Sequence, residues 1–329
     1  MLFQRKTKTL LITTLIIGLL LSVTPLFAEG KQEGQGQSGE KQFITIGTAS
    51  PAGAYYPLGV KMADIWNRSI DGINFTARET GGSVNNMNLL NKDEIQVGFG
   101  NENIIYNAIH GEGSFSEDVD VQGGWVLNQS MAVFVAIRKS GITHVTDLEG
   151  KKVALGKPGS SANVNGQLIL NAHGLEEGDY EPVYMGWQEA ADALQDKLID
   201  AALMVGGQPF PAIESLSVRT PINVLSFDIE KVREEGGFPY GKGVIPQDMY
   251  DLTEDGDALA LRSLVCLSSD LSEDLAYEMV KTLFNNIPAL KDAHSTGDQA
   301  ALMEKEYADN LELPIHTGVI KYAKDQNRW

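Results

Sequence analysis

The chain has 329 residues, a formal net charge of −18, 43% hydrophobic and 21% charged residues, and one cysteine. This balance describes a folded protein long enough for two domain-sized cores, not a disordered or multi-span chain. The acidity repels nucleic acid and anionic headgroups, and the lone Cys266 rules out an internal disulfide.

Arg5, Lys6 and Lys8 precede an apolar run over 10–27, interrupted by Pro25 and followed by the small residue Ala28 before Glu29-Gly30. A basic start, an apolar middle and a small residue at the boundary predict a secretory signal over 1–28, cleaved after Ala28, and hence a periplasmic protein. An uncleaved anchor is the competing reading, since about 18 apolar residues is the lower edge of a membrane span. No cysteine follows the run, so a lipoprotein anchor is not expected. Residues 29–42 (EGKQEGQGQSGEKQ) are polar and rich in Gly and Gln, which predicts a flexible linker.

Folding is predicted to start with a strand over 43–46, a glycine-bearing loop over 47–53 and a helix over 56–65. The same strand–loop–helix unit recurs at 74–90, 95–109, 152–173 and 201–216. The loops in these units are Thr80-Gly81-Gly82-Ser83, Asn101-Glu102-Asn103, residues 156–161 and Gly206-Gly207-Gln208-Pro209. Such alternation predicts an α/β fold with largely parallel sheets. In sheets of that kind ligands bind outside the carboxyl ends of the strands. Two long apolar segments, 125–137 and 258–267, are suited to cross between lobes. The predicted division is a first lobe of 43–128 plus 256–329 and a second of 129–255. Cys266 lies in the second crossing segment and reads as a small core residue.

Helix N-termini at strand ends carry unpaired backbone N–H groups and the positive end of the helix dipole, so they can hold a carboxylate without a cationic side chain. In the loop Thr80-Gly81-Gly82-Ser83 the glycines permit close approach of the backbone. Thr80 and Ser83 supply hydroxyls, although Ser83 reads equally well as a plain N-cap. The loop Lys157-Pro158-Gly159-Ser160-Ser161 has the same character and lacks the GxxxxGK[ST] spacing of a phosphate-transfer loop. Tyr55 and Tyr56 could wall a cleft or simply pack. The five histidines are scattered without metal-ligand spacing, no G-x-S-x-G elbow occurs, and the acidic pairs Asp118/Asp120 and Asp255/Asp257 lack an EF-hand frame. No nucleophile, base and orienter come together, and no cofactor or metal is expected.

Several short runs resemble a known family when taken in order. They are Gly47-Thr48, Gly53, Tyr55-Tyr56-Pro57-Leu58-Gly59, Thr80-Gly81-Gly82-Ser83-Val84 with Asn86, Asp147-Leu148, Gly150-Lys151-Lys152-Val153, and Pro158-Gly159-Ser160. Glu189-Ala190-Ala191, Ile199-Asp200-Ala201, Asp270-Leu271-Ser272-Glu273-Asp274 and Leu313-Pro314-Ile315-His316 continue the series. In order and spacing they resemble the TAXI family of solute receptors of TRAP transporters, over residues 43–325. The resemblance implies a type II periplasmic-binding-protein fold: two α/β lobes, a hinge and a ligand cleft between them. It implies a monomeric receptor that captures a small anionic or zwitterionic metabolite, glutamate-like or 2-oxoglutarate-like, and delivers it to sodium-driven TRAP membrane subunits. By position it implies ligand contacts at Thr48, Ala49, Ser50, Tyr55, Thr80, Gly82 and Ser83, and across the cleft at Ser160, Ser161, Gly207 and Gln208. A secreted sensing domain that reuses the fold is the other class compatible with the sequence.

Two positions depart from the family pattern. Ala162 stands where a hydroxyl residue is common, so Ser161 or Asn163 is expected to replace it. Asn101-Glu102-Asn103 stands where Gln-Ser-Asp is frequent. A carboxylate at Glu102 beside an anion would be repulsive, which favours an amino acid whose ammonium pairs with it; a first-turn glutamate also suits a helix N-terminus for its own sake. Arg78 and Arg138 are candidate counterions, with a surface role expected for Arg78.

Overall fold

The computed structural model describes residues 42–329, so the signal and nearly all of the linker expected before the folded body lie outside the described residues. Gln42, placed in that linker by composition, already belongs to the first strand. In chain order the elements are β1 (Gln42–Gly47), α1 (Tyr55–Ser69), β2 (Ile73–Arg78), α2 (Ser83–Asn91), β3 (Val97–Asn101), α3 (Glu102–Ile109) and β4 (Val121–Ile137). Then come β5 (Lys152–Ala154), α4 (Ser161–Ala172), β6 (Glu181–Val183), α5 (Trp187–Gln195), β7 (Ala201–Gly206), α6 (Pro211–Arg219), β8 (Ile222–Val224), α7 (Ile229–Gly236) and β9 (Gly241–Ile245). The chain ends with β10 (Gly256–Ser268), α8 (Glu273–Phe284), α9 (Ile287–Lys291), α10 (Lys305–Asn310) and α11 (Thr317–Asp325). No described helix is long and apolar enough to cross a membrane.

The strands form one sheet in the order β2-β1-β3-β10-β4-β7-β5-β6, with β8 beside β4 and β9 beside β10. Strands β1, β2 and β3 are parallel, as are β5, β6 and β7. The sheet as a whole is mixed, because β4 and β10 run antiparallel to each other and to the parallel sets on either side. This departs from the largely parallel expectation. The two apolar crossing segments pair with each other along most of their length, which local periodicity cannot reveal.

β4 has 17 residues and β10 has 13, longer than most strands. Their apolar side chains alternate between faces: Leu264 and Cys266 enter one cluster, Val265 and Leu267 another. In β4, Val133 and Val135 pack on one side and Ala132, Phe134 and Ala136 on the other. Both faces are covered, so these strands read as continuous apolar runs. Trp66 and Trp125, both fully buried, meet edge to face at 6.2 Å in one of these clusters. Burying each such side chain contributes a few kcal/mol, so packing supplies stability where disulfides do not. Cys266 is fully buried, and burial pushes its thiol up to about 12, consistent with a small core residue.

Candidate functional site

A narrow cavity lies between residues of 43–128 and residues of 129–255. One wall is formed by Ala49, Ser50, Ala54 and Tyr55 after β1, Thr80, Gly81, Gly82 and Ser83 after β2, and Asn101 at the end of β3. The facing wall is formed by Lys157, Ser160 and Ser161 after β5, Met185, Gly186 and Trp187 after β6, and Val205 and Gly206 at the end of β7. The cavity leaves about 30 Å³ for water centres, room for two or three waters at roughly 10–15 Å³ each.

A side-chain amide holds the first wall together. Asn86, fully buried on α2, donates through Nδ2 to the carbonyls of Thr48 (2.7 Å) and Phe99 (2.8 Å). Its Oδ1 lies 2.7 Å from Thr80 Oγ1. One residue thus ties together the carboxyl ends of β1, β2 and β3. Behind the wall, the Tyr55 hydroxyl donates to Ser263 Oγ at 2.9 Å, and Ser263 Oγ lies 2.6 Å from Ser130 Oγ. Both serines sit where β4 and β10 cross, next to a register shift after Ser263. Burial pushes the Tyr55 phenol up to about 12, so it stays a proton donor.

The two walls touch at several points. The Asn85 N–H donates to the Gly159 carbonyl at 3.1 Å, and Asn103 Nδ2 donates to Asn165 Oδ1 at 3.0 Å. Lys157 Nζ lies 3.5 Å from Glu79 Oε1, with both side chains about half exposed. Two glycines illustrate how near the walls come. Gly82, at φ 105° and ψ −153°, has a backbone shape that side chains resist, and its missing Cβ would stand 3.5 Å from the Ser160 Cα. A Cβ on Gly53 would fall 2.3 Å from the Trp187 ring.

The helices α1, α2, α4 and α5 all begin at the cavity: Tyr55, Ser83, Ser161 and Trp187 are their first residues and line it. None of the first three has an acidic residue in its first turn. Their dipoles and unpaired N–H groups therefore favour negative charge at that point. Lys157 is the only cation in the lining, and the lining contains no carboxylate. Of the nearby acids, Glu79 is on Lys157, and Glu189 Oε2 turns back to accept the Gly186 N–H at 3.3 Å.

Hydroxyl donors are fewer than the sequence suggested. Ser160 Oγ donates to the Lys157 carbonyl (2.6 Å) and accepts the Asn163 N–H (3.3 Å), so it is fully engaged as an N-cap. Thr80 Oγ1 lies within hydrogen-bond reach of the Thr48 carbonyl and Asn86 Oδ1 and accepts the Gly82 N–H. Ser83 Oγ accepts the Asn101 N–H at 3.2 Å instead of capping its own helix, which leaves its proton for the cavity. Ser50 Oγ only accepts, from the Ala52 N–H at 3.4 Å, and Ser161 likewise lines the cavity. The hydroxyl protons open to a ligand are thus those of Ser50, Ser83 and Ser161.

Nine of the fourteen residues expected to touch a ligand line this cavity: Ala49, Ser50, Tyr55, Thr80, Gly82, Ser83, Asn101, Ser160 and Ser161. The structure places the other five elsewhere. Thr48 is fully buried and its hydroxyl donates to the Arg78 carbonyl at 2.7 Å. Asn163 contributes only its backbone N–H to Ser160, while Ala162 packs in the core. Gly207 abuts Thr296 and Asn128, and Gln208 accepts a hydrogen bond from the Tyr250 hydroxyl. Glu102 faces away: Oε1 accepts the Arg262 N–H at 2.9 Å, and Oε2 accepts the Tyr307 hydroxyl. Neither candidate counterion lines the cavity. Arg78 is exposed, and Arg138 donates to the Ile222 carbonyl.

Sequence reasoning missed Met185, Gly186, Trp187 and Val205 and left Lys157 out of the contact set. Lys157 was findable as the only cation in the five strand-to-helix loops. The Gly186-Trp187 helix start follows a three-residue strand, Glu181–Val183, which is too short to announce itself by alternation.

These features define an α/β periplasmic-binding-protein-like fold with a cavity between loops of residues 49–101 and loops of residues 157–206. The profile of the NMT1-like family matches residues 46–326, and the chain belongs to that family. Among solved structures it is similar to PhnD1 from Prochlorococcus marinus in complex with methylphosphonate. That match has a TM-score of 0.53 and 9% identity, and covers 88% of this chain and 100% of the other. It is also similar to XAC2383 from Xanthomonas citri bound to ATP, with a TM-score of 0.53, 10% identity and coverage of 87% and 99%. A third match is a putative L-cystine ABC transporter from Listeria monocytogenes, with a TM-score of 0.50, 14% identity and coverage of 79% and 98%. At these identities the likeness is one of fold.

Proposed function

We propose that the protein is an extracytoplasmic solute-binding receptor. It captures a small carboxylate, the class to which the glutamate-like and 2-oxoglutarate-like acids implied by the motifs belong, and delivers it to the sodium-driven membrane subunits of a TRAP transporter. The observation that carries this reading is the cavity: four helix N-termini and one lysine converge on it from two halves of the chain, and no carboxylate lines it. Fixed dipoles around a nearly closed space stabilise an anion without the large local charge that a net −18 surface would otherwise need to offset. The TAXI-like motifs support the choice of transporter, and membership of the NMT1-like family supports binding over catalysis. The halves 43–128 plus 256–329 and 129–255 act as lobes that part and close about the β4/β10 crossing.

The test is calorimetric titration of the purified protein with small carboxylates, with Lys157→Met as the control. Saturable one-to-one binding that weakens about tenfold in the variant supports the reading. Turnover of a bound acid, or binding indifferent to Lys157, overturns it. Sodium-dependent uptake by cognate membrane subunits, dependent on this protein, tests the delivery step. Its absence alongside tight binding would favour a sensing role.

A further inference from the structure

Resting on the receptor reading above, we infer that the ligand is a monocarboxylate that carries no ammonium group and turns a short apolar end toward Trp187. The inference comes from the chemical composition of the two walls, not from their shape alone.

An ammonium has nowhere to go in this cavity. Removing it from water requires an anionic partner, and no aspartate or glutamate lines the site. Glu102, the carboxylate that the sequence placed nearest, is held on the far side by the Arg262 N–H and the Tyr307 hydroxyl. The helix N-termini present positive partial charge, so an ammonium among them would be repelled rather than held. Asn101 lines the cavity, and its side-chain amide oxygen is a neutral acceptor suited to a ligand hydroxyl.

A second carboxylate is equally unprovided for. Lys157 is the only cation in the lining. Apolar side chains complete the lining, with Met185, Trp187 and Val205 on one wall and Ala54 on the other, and the Trp187 ring meets the backbone at Gly53 beside Ala54. Trp187 is held edge to face against Phe210 at 5.0 Å, so it forms a fixed wall. The limited space favours a short tail.

The experiment compares ligands of one carbon skeleton by calorimetry on the full chain: 2-oxobutanoate, 2-hydroxybutanoate and 2-aminobutanoate, with 2-oxoglutarate and glutamate as doubly charged partners. The oxo and hydroxy acids are expected to bind, with 2-aminobutanoate and both dicarboxylates at least about 30-fold weaker. Trp187→Ala is expected to weaken 2-oxobutanoate about tenfold and acetate by less than about twofold. Equal or tighter binding of an amino acid or a dicarboxylate overturns this inference while leaving the carboxylate receptor intact. Failure of every acid in the series, or affinities untouched by Lys157→Met, overturns the receptor reading itself.

Discussion

Replacing Asn86 with alanine should cost the protein both stability and ligand affinity, because Asn86 fastens three strand ends at once. The substitution removes two donated bonds, to the Thr48 and Phe99 carbonyls, and one accepted at Oδ1 from Thr80. Each buried hydrogen bond is worth about 1 kcal/mol net, and a buried group left unpaired costs a further ~1–3 kcal/mol. Asn86 is fully buried, so water does not replace its bonds at the surface. The expected loss is therefore about 4–6 kcal/mol, a large part of the ~5–15 kcal/mol that usually holds a domain folded. Urea unfolding followed by tryptophan fluorescence reads this directly as a lower midpoint at unchanged slope. Affinity should fall as well, because the loops bearing Ser50 and Ser83 lose their common anchor. A loss below about 1 kcal/mol, with affinity intact, would refute the claim that this amide sets the loops.

Gly53→Ala should hold the walls apart, since its Cβ would come within 2.3 Å of the Trp187 ring. Affinity measured by calorimetry is expected to drop about tenfold while unfolding free energy stays within ~1 kcal/mol, and unchanged affinity would contradict the contact. Glu102→Gln should leave ligand affinity within about twofold and lower stability by ~1 kcal/mol, because Glu102 braces Arg262 and Tyr307 and not the ligand. A clear affinity change on titration would return Glu102 to the binding set. His316 should make stability pH-dependent. Its Nε2–H donates to the Leu271 carbonyl, its Nδ1 accepts the Gly318 N–H to cap α11, and burial holds its pKa below the usual value of 6.5. The neutral ring is the folded form, so its contribution is fully present above about pH 6.5 and is lost as pH falls toward the lowered folded value. Urea midpoints at pH 7.5 and 5.5 should differ more for the wild type than for His316→Asn, and equal differences would dismiss the cap.

The strand–loop–helix units, the two long apolar strands and most of the first wall were legible from sequence. Each is a local pattern: alternation, then a glycine or hydroxyl turn, then helical period. What was not legible was pairing at long range. Thr48, Thr80 and Ser160 carry the right hydroxyls in the right loops, yet their protons or lone pairs are taken by Arg78, Thr48, Asn86 or Lys157. Only a contact map distinguishes a hydroxyl that holds the loop from one that holds a ligand. Glu102 shows the same limit. Asn101 is the last residue of β3, with extended dihedrals, and Glu102 is the first of α3, so the change of element at this point leaves Asn101 in the cavity wall while its neighbour binds Arg262 and Tyr307. Asn86 was visible as part of a family-like motif, but its role depends on three strands that end together.

The late position of β10 bears on how the chain matures. Asn101 and its pairing partner Ser263 are 162 positions apart in the chain. Synthesis delivers β1, β2 and β3 early, but the strand that joins their sheet to β4 emerges only with residues 256–268. Pairings so distant in sequence close slowly, after the loop entropy of everything between them has been overcome. The amino-terminal half therefore remains without its central strand through most of translation. Under the receptor function proposed above, this delay keeps the chain threadable for export until residues 256–329 lock the first strands into place.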